Sequence, residues 1–108
     1  MADDFLHLND GNFDSTVKST PRLVIDCWAP WCGPCRMLAP TFEALAQDYK
    51  GKVSFGKLDT DESPRTATAL SIHSIPTLLF YRDGKQVDRL TGARPRADIE
   101  SAIKKHFS

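Results

Sequence analysis

A chain of 108 residues has room for one domain, and that domain is expected to span residues 1–108. Hydrophobic residues make up 41% of it, enough for a buried core, and 14 basic residues balance 14 acidic ones. That balance excludes an electrostatic grip on nucleic acid or anionic lipid, which needs an excess of Lys and Arg. The longest apolar stretch, Ile75 to Tyr81, is broken by Pro76 and Thr77 and falls far short of the roughly 20 residues of a membrane helix. Neither nucleic acid nor a membrane is expected as a partner, and the protein is expected to act as a monomer.

Met1 to Asp10 carries Asp3 and Asp4 and no basic-then-apolar run, so the chain is expected to be complete, without a secretory leader, and cytoplasmic. Phe5 to Leu8 is a short candidate strand. Asp10 is expected to open a weak helix through Phe13 and Val17 that ends before Pro21. Leu23 to Trp28 is nearly continuously apolar, the pattern of a strand buried on both faces beneath helices. From Pro34 the period changes. Met37, Leu38, Phe42, Leu45, Ala46 and Tyr49 recur at three and four residues, an amphipathic helix closed by Gly51 and expected to bend at Pro40. Val53 to Leu58 is the next strand and Pro64 to Leu70 a short helix. Thr77 to Tyr81 and Gln86 to Leu90 flank Asp83-Gly84, a strong hairpin signal. Pro95 opens a last helix in which Ile99, Ala102, Ile103 and Phe107 share a face. The order βαβαβαββα gives an α/β fold: a mixed five-stranded sheet, three strands parallel and a hairpin antiparallel, between two layers of helices.

Three cysteines are too few for a disulfide-stapled scaffold, and two of them form Cys32-Gly33-Pro34-Cys35. In a reducing compartment such a pair points to redox chemistry or to metal. Cys32 falls between a buried strand and a helix, where unpaired N–H groups and the positive end of the helix dipole favour a thiolate. Pro34 presets the first turn, and Gly33 keeps the approach open. Cys35, three residues on, is one turn inside the helix and close enough to bridge. The spacing predicts one exposed attacking thiol and one buried resolving thiol. The alternative is half of a zinc knuckle. Structural zinc takes four ligands, and Cys27, His7, His73 and His106 offer no second paired motif, so no metal is expected.

Trp28-Ala29-Pro30-Trp31-Cys32-Gly33-Pro34-Cys35 resembles the active-site signature of the thioredoxin family. Asp26, Lys57, Ile75-Pro76-Thr77, Asp83-Gly84 and Gly92 also fall at family positions, so the likeness covers the whole chain. The resemblance implies a protein dithiol–disulfide oxidoreductase that reduces client disulfides through a reversible Cys32–Cys35 pair. It implies no bound cofactor, and no cofactor motif occurs in the chain. Reducing equivalents would come from NADPH through a flavin thioredoxin reductase, or from a ferredoxin-dependent reductase. Clients by the same resemblance are peroxiredoxin, ribonucleotide reductase and methionine sulfoxide reductase. A disulfide-forming or isomerising domain, or a non-catalytic subunit of a larger assembly, would use the same fold.

A carboxylate within Leu23 to Trp28 is costly to bury as an anion, so the pKa of Asp26 is expected to be raised. The resemblance puts Asp26 beneath the resolving thiol as its proton-transfer group, with Lys57 on the adjacent strand tuning it. Only about 5–6% of X–Pro bonds are cis, yet the family equivalent of Pro76 is cis and faces the dithiol. There the Ile75 backbone would receive an extended client by strand addition. Trp31, Gly33, Pro34, Ile75, Pro76, Gly92 and Ala93 would form the docking groove, with Trp28 packed under the loop. Cys27, where many relatives carry an aromatic, alternates with Asp26 and Trp28. It is expected on the other face of the sheet as a buried, inert thiol.

Overall fold

The computed structural model describes residues 5–107. Along them run β1 (Leu6–Leu8), α1 (Phe13–Ser19), β2 (Arg22–Trp28), α2 (Gly33–Asp48), β3 (Ser54–Asp59), α3 (Pro64–Ala69), β4 (Thr77–Arg82), β5 (Lys85–Thr91) and α4 (Arg96–Phe107), in the order expected. The acidic start of the chain, with Asp3 and Asp4, lies outside the described residues. None of the described helices is long and apolar enough to cross a membrane.

β2 is apolar on both faces because it lies in the middle of the sheet, whose order is β1-β3-β2-β4-β5. β1, β3 and β2 are parallel, β4 runs antiparallel to β2, and β5 antiparallel to β4. Alternation along β2 divides the core in two. Val24 joins Phe55, Leu78 and Phe80 under Leu38, Phe42 and Leu45 of α2 and Ile99, Ile103 and Phe107 of α4. Leu23, Ile25 and Cys27 join Leu58, Leu79 and Tyr81 under Phe13 and Val17 of α1, with Leu70 and Ile72 at the margin. Phe42 and Phe55 meet edge to face at 5.3 Å between ring centroids. Each fully buried aromatic of this kind stabilises the fold by roughly 2–3 kcal/mol through the water it excludes.

The hairpin forms as its turn residues require. Asp83 and Gly84 both adopt left-handed backbone, φ 51° and 85°, which matches the twist of the flanking strands. The register shifts at the Phe80/Tyr81 step, where Phe80 pairs with Asp88 and Tyr81 with Gln86, leaving Val87 as an extra residue in β5.

One expectation is corrected. Asp10 does not open α1. Asn9 and Asn12 build their own turn, in which Asn9 Oδ1 accepts from the Gly11 and Asn12 amides at 2.8 and 3.0 Å and Asn12 Oδ1 accepts from the Asn9 amide at 2.7 Å. The helix therefore starts at Phe13. Asp10 turns instead to α3, where its carboxylate accepts from the Thr66 amide at 2.8 Å and the Thr66 hydroxyl at 2.7 Å. An acidic residue before an apolar run is a helix-start signal, but the helix it caps here lies 56 positions away.

Candidate active site

The loop after β2 delivers Cys32 to the first position of a helix. Cys32 caps α2 in extended conformation (φ −86°, ψ 110°), and Pro34 occupies the first turn. The Cys35 amide donates to Cys32 Sγ at 3.2 Å, the Arg36 amide to the Cys32 carbonyl at 3.2 Å, and the Cys32 amide to the Ala29 carbonyl at 3.1 Å. Arg36 Nη1 donates to the Pro30 carbonyl at 3.0 Å and ties the helix back to the loop. An amide aimed at the sulfur and the positive end of a 16-residue helix both favour negative charge on Cys32.

Cys32 and Cys35 are joined as a disulfide with their Cα atoms 5.3 Å apart. The expected contrast between an exposed attacker and a buried resolver is corrected: Cys32 is 4% exposed and Cys35 2%. Both pack with Ala29, and the partly buried Trp28 and Ile75 pack against them. Cys32 Sγ lies 3.8 Å from the Ile75 carbonyl oxygen, so the neighbouring loop covers the sulfur that sequence position alone would leave open.

The Ile75–Pro76 peptide is cis. The Pro76 carbonyl accepts from the Gly92 amide at 2.8 Å, which sets Gly92 beside the dithiol loop. Gly92 has φ 92°, a backbone that L side chains rarely adopt, while a Cβ there would meet nothing within 4 Å. The glycine is needed for its conformation, not for room. At Gly33 a Cβ would also meet nothing, and φ is ordinary, so neither space nor backbone requires it. Pro34 and Ala93 are exposed, Gly33 half-buried. Trp31 is 68% exposed, yet its Nε1 donates to Asp61 Oδ2 at 2.9 Å. That partner was not anticipated. No local pattern links Asp61 to Trp31, since the contact depends on how the loop after β3 meets the loop after β2.

Asp26 is 1% exposed on the α2-facing side of the sheet, in register with Lys57 on β3 and Leu78 on β4. Burial pushes its carboxyl up to about 7, and the positive charge of Lys57 holds it back. Among the described residues its Oδ1 has no hydrogen-bond partner. Lys57 does not bond to Asp26 directly. Its Nζ pairs with Glu43 of α2 at 3.2 Å and sits 4.6 Å from the centre of the Phe5 ring and 5.8 Å from that of Trp28. Glu43 is a second residue missed in the sequence, where it is one of several charges on the outer face of α2. Cys27 points away into the other half of the core. Burial pushes its thiol up to about 12, the charge of Asp26 adds to the shift, and Arg89 opposes it. A thiol so placed stays protonated and unreactive at neutral pH. Among the described residues no group of three or more His, Cys, Asp and Glu is arranged to hold a metal ion.

The family profile described as Thioredoxin matches residues 4–105. The chain belongs to the thioredoxin family. It is 48% identical over 100 residues to a thioredoxin of Staphylococcus saprophyticus, covering 93% of this chain and 95% of the relative, and equally identical to thioredoxins of Staphylococcus aureus. It is 50% identical over 102 residues to the chloroplastic M-type thioredoxin of Pisum sativum, covering 93% of this chain and 59% of that relative. A similar fold, with TM-score 0.86, 35% identity and 94% of each chain covered, was solved in work on the thiol resolving mechanism in yeast mitochondrial 1-Cys peroxiredoxin via glutathione/thioredoxin systems. Family and cysteine pair together make this thioredoxin-family chain an enzyme of thiol–disulfide exchange.

Proposed function

We propose that this enzyme works as a protein-disulfide reductase, with Cys32 as attacking thiolate and Cys35 as resolving thiol. The reading is carried by the placement of Cys32 as the cap of α2, with the Cys35 amide aimed at its sulfur. In the reduced protein the Cys32 thiolate attacks one sulfur of a client disulfide. The client S–S bond breaks, a Cys32–client bond forms, and one client sulfur leaves as a thiolate. Cys35, deprotonated, then attacks Cys32 Sγ; the mixed disulfide breaks, the Cys32–Cys35 bond forms and the second client thiolate leaves. Two electrons pass to the client, whose two thiolates take up the two protons released by Cys32 and Cys35.

Asp26 suits the transfer of the Cys35 proton, because a carboxyl held near 7 both takes and returns a proton at neutral pH. Lys57 tunes Asp26 from the register-paired position on β3. The Ile75–Pro76 backbone, its carbonyl beside Cys32, receives an extended client segment, with Trp31, Gly33, Pro34, Gly92 and Ala93 around it.

The oxidised pair is returned to the dithiol by a thioredoxin reductase, drawing on NADPH through flavin or on ferredoxin. Peroxiredoxin, ribonucleotide reductase and methionine sulfoxide reductase are the proposed clients, and the cytoplasm the proposed location. The test is NADPH-coupled reduction of insulin in the presence of a flavin thioredoxin reductase. NADPH consumption that requires both proteins supports the reading. No consumption, together with a strongly oxidising potential for the Cys32–Cys35 pair, would make this a disulfide-forming enzyme instead.

A further inference from the structure

α3 has six residues, too few to hold together on helix propensity, and Ser63 at its N-cap makes no side-chain cap bond. Yet the segment that follows it must end with the Ile75 carbonyl 3.8 Å from Cys32 Sγ. Two charged side chains from distant elements close its ends. At the N-terminus Asp10, from the loop between β1 and α1, accepts from the Thr66 amide at 2.8 Å, the Thr66 hydroxyl at 2.7 Å and the Arg65 amide at 3.3 Å. These bonds hold the Asp10 carboxyl below the usual carboxylate range. At the C-terminus Arg89, from β5, donates Nη2 to the Leu70 carbonyl at 2.7 Å and Nη1 to the Ser71 carbonyl at 3.2 Å. An anion at the first turn and a cation at the last both complement the helix dipole.

The C-terminal turn is where direction is decided. Ser71 adopts left-handed backbone, φ 55°, with its amide on the Thr68 carbonyl and the Ile72 amide on the Ala67 carbonyl, both at 3.0 Å. This is the turn in which glycine is the usual residue. A serine there is strained, because its Cβ crowds the following carbonyl oxygen, and Arg89 grips the carbonyl of that same residue. Ile72 then anchors against the α1-side core, and three residues later the chain is at Ile75. Neither Asp10 nor Arg89 touches the dithiol loop. Resting on the proposed role of Ile75–Pro76 as client receptor, we infer that Asp10 and Arg89 are positioning residues: by clamping both ends of α3 they hold the Ile75–Pro76 backbone at the separation from Cys32 that receives a client.

A loosened clamp spoils docking of an extended chain and leaves the reactivity of Cys32 untouched. The experiment compares insulin with bis-nitrobenzoate disulfide, a small aromatic disulfide that needs no strand pairing, for the parent, Arg89→Ala, Arg89→Lys, Asp10→Ala and the double variant Arg89→Ala/Ser71→Gly. Indirect coupling of 0.5–2 kcal/mol corresponds to roughly a two- to thirtyfold rise in KM for insulin in Arg89→Ala and Asp10→Ala. kcat, and the rate with the small disulfide, should stay within about twofold of the parent, since the α2 terminus that activates Cys32 is unchanged. Arg89→Lys should recover part of the KM, and so should Ser71→Gly, because glycine takes the left-handed turn without the brace. Unchanged KM in both single variants, or equal losses with both substrates, would overturn the inference. If Arg89→Ala does not fold, Arg89→Lys decides: a KM rise confined to insulin supports the clamp, and parental or evenly reduced behaviour overturns it. A parent that cannot reduce insulin would overturn the proposed function and the clamp with it, whereas a working parent with unaltered variants overturns the clamp alone.

Discussion

Asp26 lies in a strand whose neighbours Ile25 and Cys27 are fully buried, and it is itself 1% exposed. Its carboxyl titrates near 7 in the folded protein, against about 3.9 in an unfolded chain. The folded state therefore binds this proton more tightly than the unfolded state. The stability it contributes is fully present below about pH 4 and is lost as pH rises towards 7. Replacing Asp26 by Asn removes the titration. The variant should gain on the order of 3–4 kcal/mol relative to the parent above pH 7, with the gap closing towards pH 4. Denaturant unfolding of both proteins across that range checks it, and exchange by the variant should slow at the same time. A constant difference across the range would show that Asp26 is not the titrating group. That Asp26 is perturbed was legible in the sequence, since a lone carboxylate in an apolar run has few other fates. The partners of Lys57 and Trp31, namely Glu43 and Asp61, were not, because each pair joins elements whose approach is set only by folding.

At the scale of elements, hydrophobic period carried most of the information. The strict alternation across β2 sorted Asp26 and Cys27 onto opposite faces. The three-and-four spacing of α2 named Leu38, Phe42, Leu45, Ala46 and Tyr49, which cover the sheet, but also Met37, which is 76% exposed. Polar end signals carried less. Asp10 was assigned to the nearest helix in sequence, α1, when it serves the nearest in space, α3. Pro40 lies inside α2, as the apolar spacing on either side of it requires, and its missing amide removes only one bond from a helix that runs on to Asp48. The strength of that packing can be measured. Phe42 is 0% exposed and meets Phe55 edge to face. Phe42→Ala should lower unfolding free energy by about 3–5 kcal/mol through lost burial and the cavity left behind. Chemical denaturation reads this directly, and a loss below about 1 kcal/mol would mean that the α2 seam is not the main core.

Across the whole molecule, the site gathers three loops that are far apart in the chain: the turn from β2 into α2, the segment before β4 and the end of β5. The Ile75 carbonyl beside Cys32 Sγ and the Gly92 amide on the Pro76 carbonyl are the contacts that record this meeting. The cysteine pair and its helix were legible from spacing alone. Its cover was not: a strand-to-helix turn leaves its first residue exposed in general, and here Ile75, from the segment before β4, packs against Cys32. A buried disulfide opposite the backbone proposed to receive clients makes the order of thiol attack the central claim. Cys35→Ser tests it most directly. The helix terminus that favours the Cys32 thiolate is unchanged in this variant, while a serine hydroxyl cannot displace a client thiol. Incubated with cell extract and run on non-reducing gels, Cys35→Ser should form covalent adducts through Cys32 that dithiothreitol dissolves, and Cys32→Ser should form none. Adducts through Cys35 in Cys32→Ser would reverse attacker and resolver, and adducts in neither variant would contradict the exchange mechanism itself.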